Sequence, residues 1–219
     1  EEFKKFKGSS MEKRASNYLI LRGFPEDTHP DLSEFYDIRY CYTGDYKDRI
    51  IFPVYEKTRT LITWSSRSFY TNDRIERYKN LSKHSSVFSA KDTLWNWNNI
   101  TKCMKHLNNP VLYVTEGPFD ALKIEYFTEY NIFATCIFGL NLSTRQASLL
   151  LKHKRKLEDL FDEVFEICFV LDNNAGHVAY EFKEQCPYLD FKTFILPDGY
   201  KDPGEMNEQE IKRFFNQET

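Results

Sequence analysis

Val111-Leu112-Tyr113-Val114-Thr115-Glu116-Gly117-Pro118-Phe119-Asp120 opens with a short apolar run and ends in an acid, a glycine and a proline. Four consecutive apolar residues with no alternation read as a strand covered on both faces. Gly117 leaves room for a close backbone approach, and Pro118 suits the first turn of a helix, whose pattern continues through Phe127. The same rhythm recurs downstream. Ile132 to Phe138 forms the next apolar run, closed by Gly139, and Ser143 with Gln146 makes a capping-box start for an amphipathic helix to about Leu160. Phe165 to Leu171 is a third strand, followed by a helix from His177 to Gln185, and Phe191 to Leu196 is a fourth. Apolar strands alternating with helices predict an α/β layer with a mainly parallel four-stranded sheet, flanked by helices.

In such sheets ligands bind outside the carboxyl ends of the strands, which is where the acids fall. Glu116 ends the first strand and Asp172 the third. Asp202 lies in the loop after the fourth, and Asp120 in the first helical turn after Glu116. Carboxylates from three separate loops can converge on a hard cation such as Mg²⁺. Other roles suit the same residues: Asp120 complements a helix N-terminus, Asp172-Asn173-Asn174 makes a strand exit, and Asp202-Pro203-Gly204 is a good turn.

The front half reads differently. Helical spacing from Ala15 to Arg22 stops at Gly23. Arg49–Tyr55 and Thr60–Trp64 flank a polar turn and predict a hairpin. Positions 70–108 are polar and predict loop with one helix around Thr93 to Leu107. The first fourteen residues, with Gly8-Ser9-Ser10 in a lysine-rich setting, read as a tail or linker. The expected organisation is therefore a tail over 1–14, a basic α+β subdomain over 15–108, the α/β domain over 109–206, and a C-terminal helix over 207–219.

Composition narrows the class. Among 219 residues, 41% are hydrophobic and 16% aromatic, which excludes general disorder, and 19 Phe with 14 Tyr do not suit a Leu/Ala helical bundle. No apolar run reaches the ~18 residues of a membrane span. The charged start lacks a secretory signal, so a cytoplasmic location is expected. Cys41, Cys103, Cys136, Cys168 and Cys186 are odd in number and never spaced as CxxC, against a disulfide scaffold or zinc ribbon and in favour of a reducing compartment. Residues 1–110 hold 19 Lys and Arg against 14 Asp and Glu, and the remainder 11 against 19. A basic front joined to an acidic rear suits a protein that holds a polyanion in one part and metal ions in the other.

Taken in order, Glu116-Gly117-Pro118-Phe119-Asp120, Val170-Leu171-Asp172-Asn173-Asn174-Ala175-Gly176 and Lys201-Asp202-Pro203-Gly204-Glu205 resemble the Toprim domain shared by topoisomerases and primases. The front half narrows the resemblance to the RNA-polymerase domain of bacterial-type DNA primases. Tyr18-Leu19-Ile20-Leu21-Arg22-Gly23 is similar to their opening helix, Arg49-Ile50-Ile51-Phe52-Pro53-Val54 with Trp64-Ser65-Ser66-Arg67 to their hairpin, and Arg77-Tyr78-Lys79-Asn80 to a later basic segment. The likeness runs from about Ala15 to Glu205. Two departures stand out: Asn174 occupies an acidic place, one residue nearer its glycine than usual, and Gly204 replaces the last acid of Asp-Pro-Asp. This looser form resembles primases of large tailed phages.

The resemblance implies metal-dependent synthesis of short RNA primers on single-stranded DNA from ribonucleoside triphosphates. It implies Mg²⁺ or Mn²⁺ held by Glu116, Asp172, Asn174 and Asp202, with Glu116 as ligand or general base and Asp120 among the catalytic acids. Arg22, Arg49, Arg67, Arg77, Lys79 and Lys201 would hold template phosphates or the triphosphate, and bases could stack on Tyr78 or Trp64. The chain has no room for a type IA topoisomerase, no Walker loop and no zinc module. The expectation is a monomeric polymerase core without zinc, and a replicative helicase met through regions outside it. A Toprim nuclease and a non-catalytic nucleic-acid or nucleotide binder are the competing readings.

Overall fold

In a computed structural model describing residues 2–56, 58–70, 75–99, 110–129, 131–171 and 176–215, the chain divides into two units, Glu1–Ala90 and Lys91–Thr219. The first unit carries an antiparallel five-stranded sheet in the order β1-β2-β3-β4-β5. Its elements are β1 (Lys4–Lys5), α1 (Lys13–Leu21), α2 (His29–Phe35), β2 (Arg39–Cys41), β3 (Arg49–Tyr55), β4 (Leu61–Ser68) and β5 (Tyr78–Asn80). The hairpin expected at Arg49 forms, in a register from Arg49↔Ser68 to Tyr55↔Leu61. Helix α1 ends as expected at Gly23, which takes φ +91 and donates its N–H to the Ile20 carbonyl at 2.9 Å.

The expected tail is instead part of this unit. Lys4 and Lys5 pair with Tyr40 and Arg39 along the sheet edge. Phe6 is the anchor. It is buried against Tyr40 and His29, and its N–H donates to Ser33 Oγ at 2.9 Å. Glu12, also buried, accepts from the backbone N–H groups of Lys7 and Ser9. One apolar ring and one capping carboxylate thus order a segment whose lysines and glycine suggested a tail. Strand β5 also arises where polar loop was expected. Its three residues have no apolar pattern of their own, and pairing with Ser65–Arg67 defines them.

The second unit contains β6 (Val111–Thr115), α3 (Pro118–Phe127), β7 (Phe133–Cys136), α4 (Thr144–Phe161), β8 (Glu166–Leu171), α5 (Gly176–Gln185), β9 (Lys192–Ile195) and α6 (Glu208–Phe215). All three strand pairings are parallel, in the order β7-β6-β8-β9. Leu112, Val114, Phe133, Ile167 and Phe169 form the middle of its core, with Leu150 and Leu157 contributed by α4. Burying a side chain of this size contributes about 1.5–3 kcal/mol, so the core depends on these continuous apolar runs.

Two boundaries differ from expectation. Residues 91–99 belong to the second unit: Trp95 N–H donates to the Cys136 carbonyl at 3.3 Å, Thr135 Oγ1 donates to the Trp95 carbonyl at 2.7 Å, and Leu94 and Trp97 enter the core. No helix forms over the described part of the span expected to hold one, and 100–109 lie outside the described residues. The C-terminal helix α6 also packs within the unit, with Phe215 edge-on to Tyr113 at 5.2 Å and 5.1 Å from Phe194.

The capping box at α4 is realised. Gln146 N–H donates to Ser143 Oγ, and Ser143 N–H to Gln146 Oε1, each at 3.1 Å. Ser143 Oγ also donates to the Lys91 carbonyl at 2.9 Å. Ser143→Ala is expected to cost about 1–2 kcal/mol, read as a lower urea midpoint with unchanged slope.

Candidate active site at the carboxyl edge of the parallel sheet

The chain leaves β6 toward β7 on one side, while β8 lies on the other. The switch point of the sheet therefore lies between β6 and β8. Glu116 follows β6 directly, and its backbone carbonyl accepts from Gly139 N–H at 2.9 Å. Thr115 Oγ1 donates to the Gly117 carbonyl at 2.9 Å and fixes the turn into α3. Glu116, Gly139, Leu171 and Val178 meet around one small packing gap at this edge.

Lys91 also reaches this edge. Gly139 takes φ +136, a conformation that favours glycine, and the Lys91 Nζ stands close to where its Cβ would be. Burial draws the Lys91 ammonium below the ordinary lysine range, opposed by Cys136 and the Glu116 carboxylate. Sequence reading missed Lys91, which sits in a polar stretch without a motif. Gly139 at a strand end was the available signal that something approaches closely there.

Asp120 is buried in the first turn of α3, and its Oδ1 accepts from Gly204 N–H at 3.0 Å, across 84 residues of sequence. It therefore serves the backbone of the loop that follows β9. Asp202 begins that loop's 3₁₀ turn, Pro203–Glu205. Its Oδ1 is buried and has no hydrogen-bond partner among the described residues. A buried carboxylate oxygen without a donor is costly, and it fits a hard divalent cation. Asp172 and Asn174 lie outside the described residues, β8 ending at Leu171. Among the described residues no three His, Cys, Asp or Glu side chains form a metal-holding group. Lys201 is exposed next to Asp202.

The basic residues of the first unit separate into two kinds. Arg49 and Arg67 are buried, at 6% and 5% exposure. Arg49 donates from Nη2 to the Glu76 carbonyl at 2.7 Å and from Nη1 to the Ser66 carbonyl at 3.4 Å. Burial pulls its guanidinium below the usual range, opposed by Glu76 and Tyr46. Arg67 donates from Nε to Tyr18 Oη at 3.3 Å and stands 4.6 Å over the Tyr78 ring. These two were expected to hold phosphates; both are buried, and the hairpin register, Arg49↔Ser68 and Ile50↔Arg67, sets them on opposite faces of the sheet. Arg22 is half-buried and Arg77 exposed. Lys79 donates to the Asp45 carbonyl at 2.9 Å and lies 4.9 Å from the Tyr46 ring centre. Trp64 is half-buried, edge-on to Phe3 and Tyr46 at 5.2 and 5.7 Å.

Comparison with known proteins agrees with this architecture. Residues 29–101 match the family model of the DNA primase catalytic core, N-terminal domain. No curated protein matches the chain. Among solved structures, the Escherichia coli primase catalytic core is 18% identical with a TM-score of 0.71, over 95% of this chain and 72% of that one. A DnaG primase catalytic domain bound to single-stranded DNA is 15% identical, TM-score 0.70, over 95% and 75% of the two chains. The RNA polymerase domain of Mycobacterium tuberculosis primase DnaG is 15% identical, TM-score 0.63, over 95% and 77%. With residues 29–101 matching the primase N-terminal family and nearly the whole length following its solved relatives, this chain has the fold of a DnaG-type primase catalytic core.

Proposed function

We propose that this chain is the catalytic core of a DNA primase, joining ribonucleoside triphosphates into short RNA primers on single-stranded DNA. One observation carries the reading. The primase N-terminal match at 29–101 is followed, in the same chain, by a parallel sheet with Glu116 at its carboxyl edge and a buried Asp202 oxygen that has no donor among the described residues. A divalent cation, Mg²⁺ or Mn²⁺, would lower the pKa of the attacking 3′-hydroxyl and offset charge on the phosphate oxygens. Asp202 and Glu116 would hold it, together with Asp172 and Asn174. The Lys91 ammonium, beside Glu116, would balance negative charge on an incoming triphosphate. Arg77 and Lys79 would take template phosphates. Among the described residues no helix is long and apolar enough to cross a membrane, and the reading needs none.

A primer-synthesis assay tests the proposal, with labelled ribonucleotides, single-stranded DNA and Mg²⁺ or Mn²⁺, using the full-length protein and its helicase. Short labelled oligoribonucleotides that vanish with EDTA are expected. Shortened DNA without labelled product would favour the nuclease reading, and binding without either product the non-catalytic one.

A further inference from the structure

Helix α3 reaches the loop after β9 twice. Asp120 and Lys123 stand three residues apart, on one helical face. Asp120 Oδ1 accepts from Gly204 N–H, and Lys123 Nζ donates to the Met206 carbonyl. Both points fall within or just after the short turn that Asp202 starts, which is closed by its own bonds: Glu205 N–H to the Asp202 carbonyl and Met206 N–H to the Pro203 carbonyl, both at 3.1 Å. Pro203, Gly204 and Met206 are buried, so the turn rests on α3. The far end is tied as well, Asn207 N–H and Tyr200 Oη both donating to the Glu210 carboxylate, at 2.7 and 2.5 Å.

Lys123 is the unexpected member. It is only 2% exposed, and burying an ammonium costs several kcal/mol after relaxation. An apolar side chain of the same length would fill the space without that cost. It could not grip the Met206 carbonyl, and it would place no positive charge beneath a loop that presents a carboxylate. We propose that Lys123 is a positioning residue: with Asp120 it ties the turn to α3 at Gly204 and Met206 and so holds the Asp202 carboxylate in the orientation that receives a divalent cation. This rests on the reading of Asp202 as a metal ligand.

The test uses the full chain, with Mn²⁺ alone as probe, in Lys123→Met, Lys123→Gln and Asp202→Ala. Free Mn²⁺ is followed by electron paramagnetic resonance without DNA or nucleotide, and folding by thermal melting. Lys123→Met should melt cooperatively yet bind Mn²⁺ on the order of tenfold more weakly, as when a group supporting a ligand is lost. Its half-saturating Mn²⁺ in primer synthesis should rise by the same factor, with most of the rate recovered at saturating metal. A purely structural lysine would lower stability and rate together, with no rescue by metal, and that result overturns the proposal. Lys123→Gln should show the same weakening, and serves if the methionine variant fails to fold. A folded variant with wild-type Mn²⁺ affinity, beside a weakened Asp202→Ala, overturns the positioning role alone. An Asp202→Ala chain that binds Mn²⁺ as the wild type does overturns the ligand reading and this proposal together. If neither Lys123 variant folds, the lysine is structural and the proposal falls.

Discussion

Asp202→Ala should lower the rate of primer synthesis by on the order of a thousandfold or more, about 4 kcal/mol of transition-state energy, while leaving the fold and DNA affinity nearly intact. The three parts have separate physical causes. The Asp202 Oδ1 accepts nothing among the described residues, so its removal strands no donor there. The turn it begins is held by backbone bonds and by Asp120 and Lys123, all of which the substitution leaves in place. Phosphate binding gains from the loss of a negative charge, if it changes at all. The chemistry, by contrast, would lose a direct ligand to the cation that offsets charge on the reacting phosphate. Single-turnover primer synthesis, thermal melting and fluorescence anisotropy on single-stranded DNA read the three quantities separately. A variant keeping more than about a tenth of the rate has lost less than ~1.4 kcal/mol, and the metal assignment would then be wrong.

How much of this was readable from the sequence follows from how each element is stabilised. Strands β6 to β9 announce themselves because burial on both faces demands continuous apolar residues, as in Val111–Val114 and Ile167–Leu171. Helix α4 carries its start in Ser143 and Gln146. Elements that depend on a distant partner carry no such signal. Lys4–Lys5 and Tyr78–Asn80 are strands only because a neighbouring strand accepts them. Trp95 and Trp97 did hint at burial within an asparagine-rich stretch, but nothing local tied them to Cys136 or to the core around Leu112.

The site divides along the same line. Glu116 and Asp202 stood out as candidates because a parallel sheet presents its loops at one edge, Glu116 directly after a strand and Asp202 in the loop that follows the last one. The partner of Asp120 did not, because Gly204 lies 84 residues away. Lys91 and Lys123 escaped notice for a related reason. A lysine in sequence reads as solvated charge, and only the fold shows one crowding Gly139 and the other holding the Met206 carbonyl. Asp172 and Asn174 remain expectations drawn from the sequence pattern.

Arg49 shows what burial changes in an expectation based on charge. As an open cation it would, on losing its side chain, weaken DNA or nucleotide binding and little else. With 6% exposure and its Nη2 on the Glu76 carbonyl at 2.7 Å, it joins β3 to the segment ahead of β5. The second bond, to Ser66 at 3.4 Å, is long and contributes less. A hydrogen bond from a charged donor contributes about 1.5–3 kcal/mol, and the packed aliphatic stem adds to it. Arg49→Ala should therefore destabilise the chain by about 2–4 kcal/mol, measured by urea unfolding. Arg77→Ala is the control. Its side chain is exposed, while its backbone carbonyl, which accepts from Ser68 N–H at 3.1 Å, survives the substitution. That variant should stay within about 0.5 kcal/mol of wild-type stability and reduce the salt dependence of DNA binding by about one unit of slope. The contrast separates a cation that holds the hairpin together from one expected to meet phosphate. Wild-type stability in Arg49→Ala, with DNA affinity lost, would return that guanidinium to the binding surface.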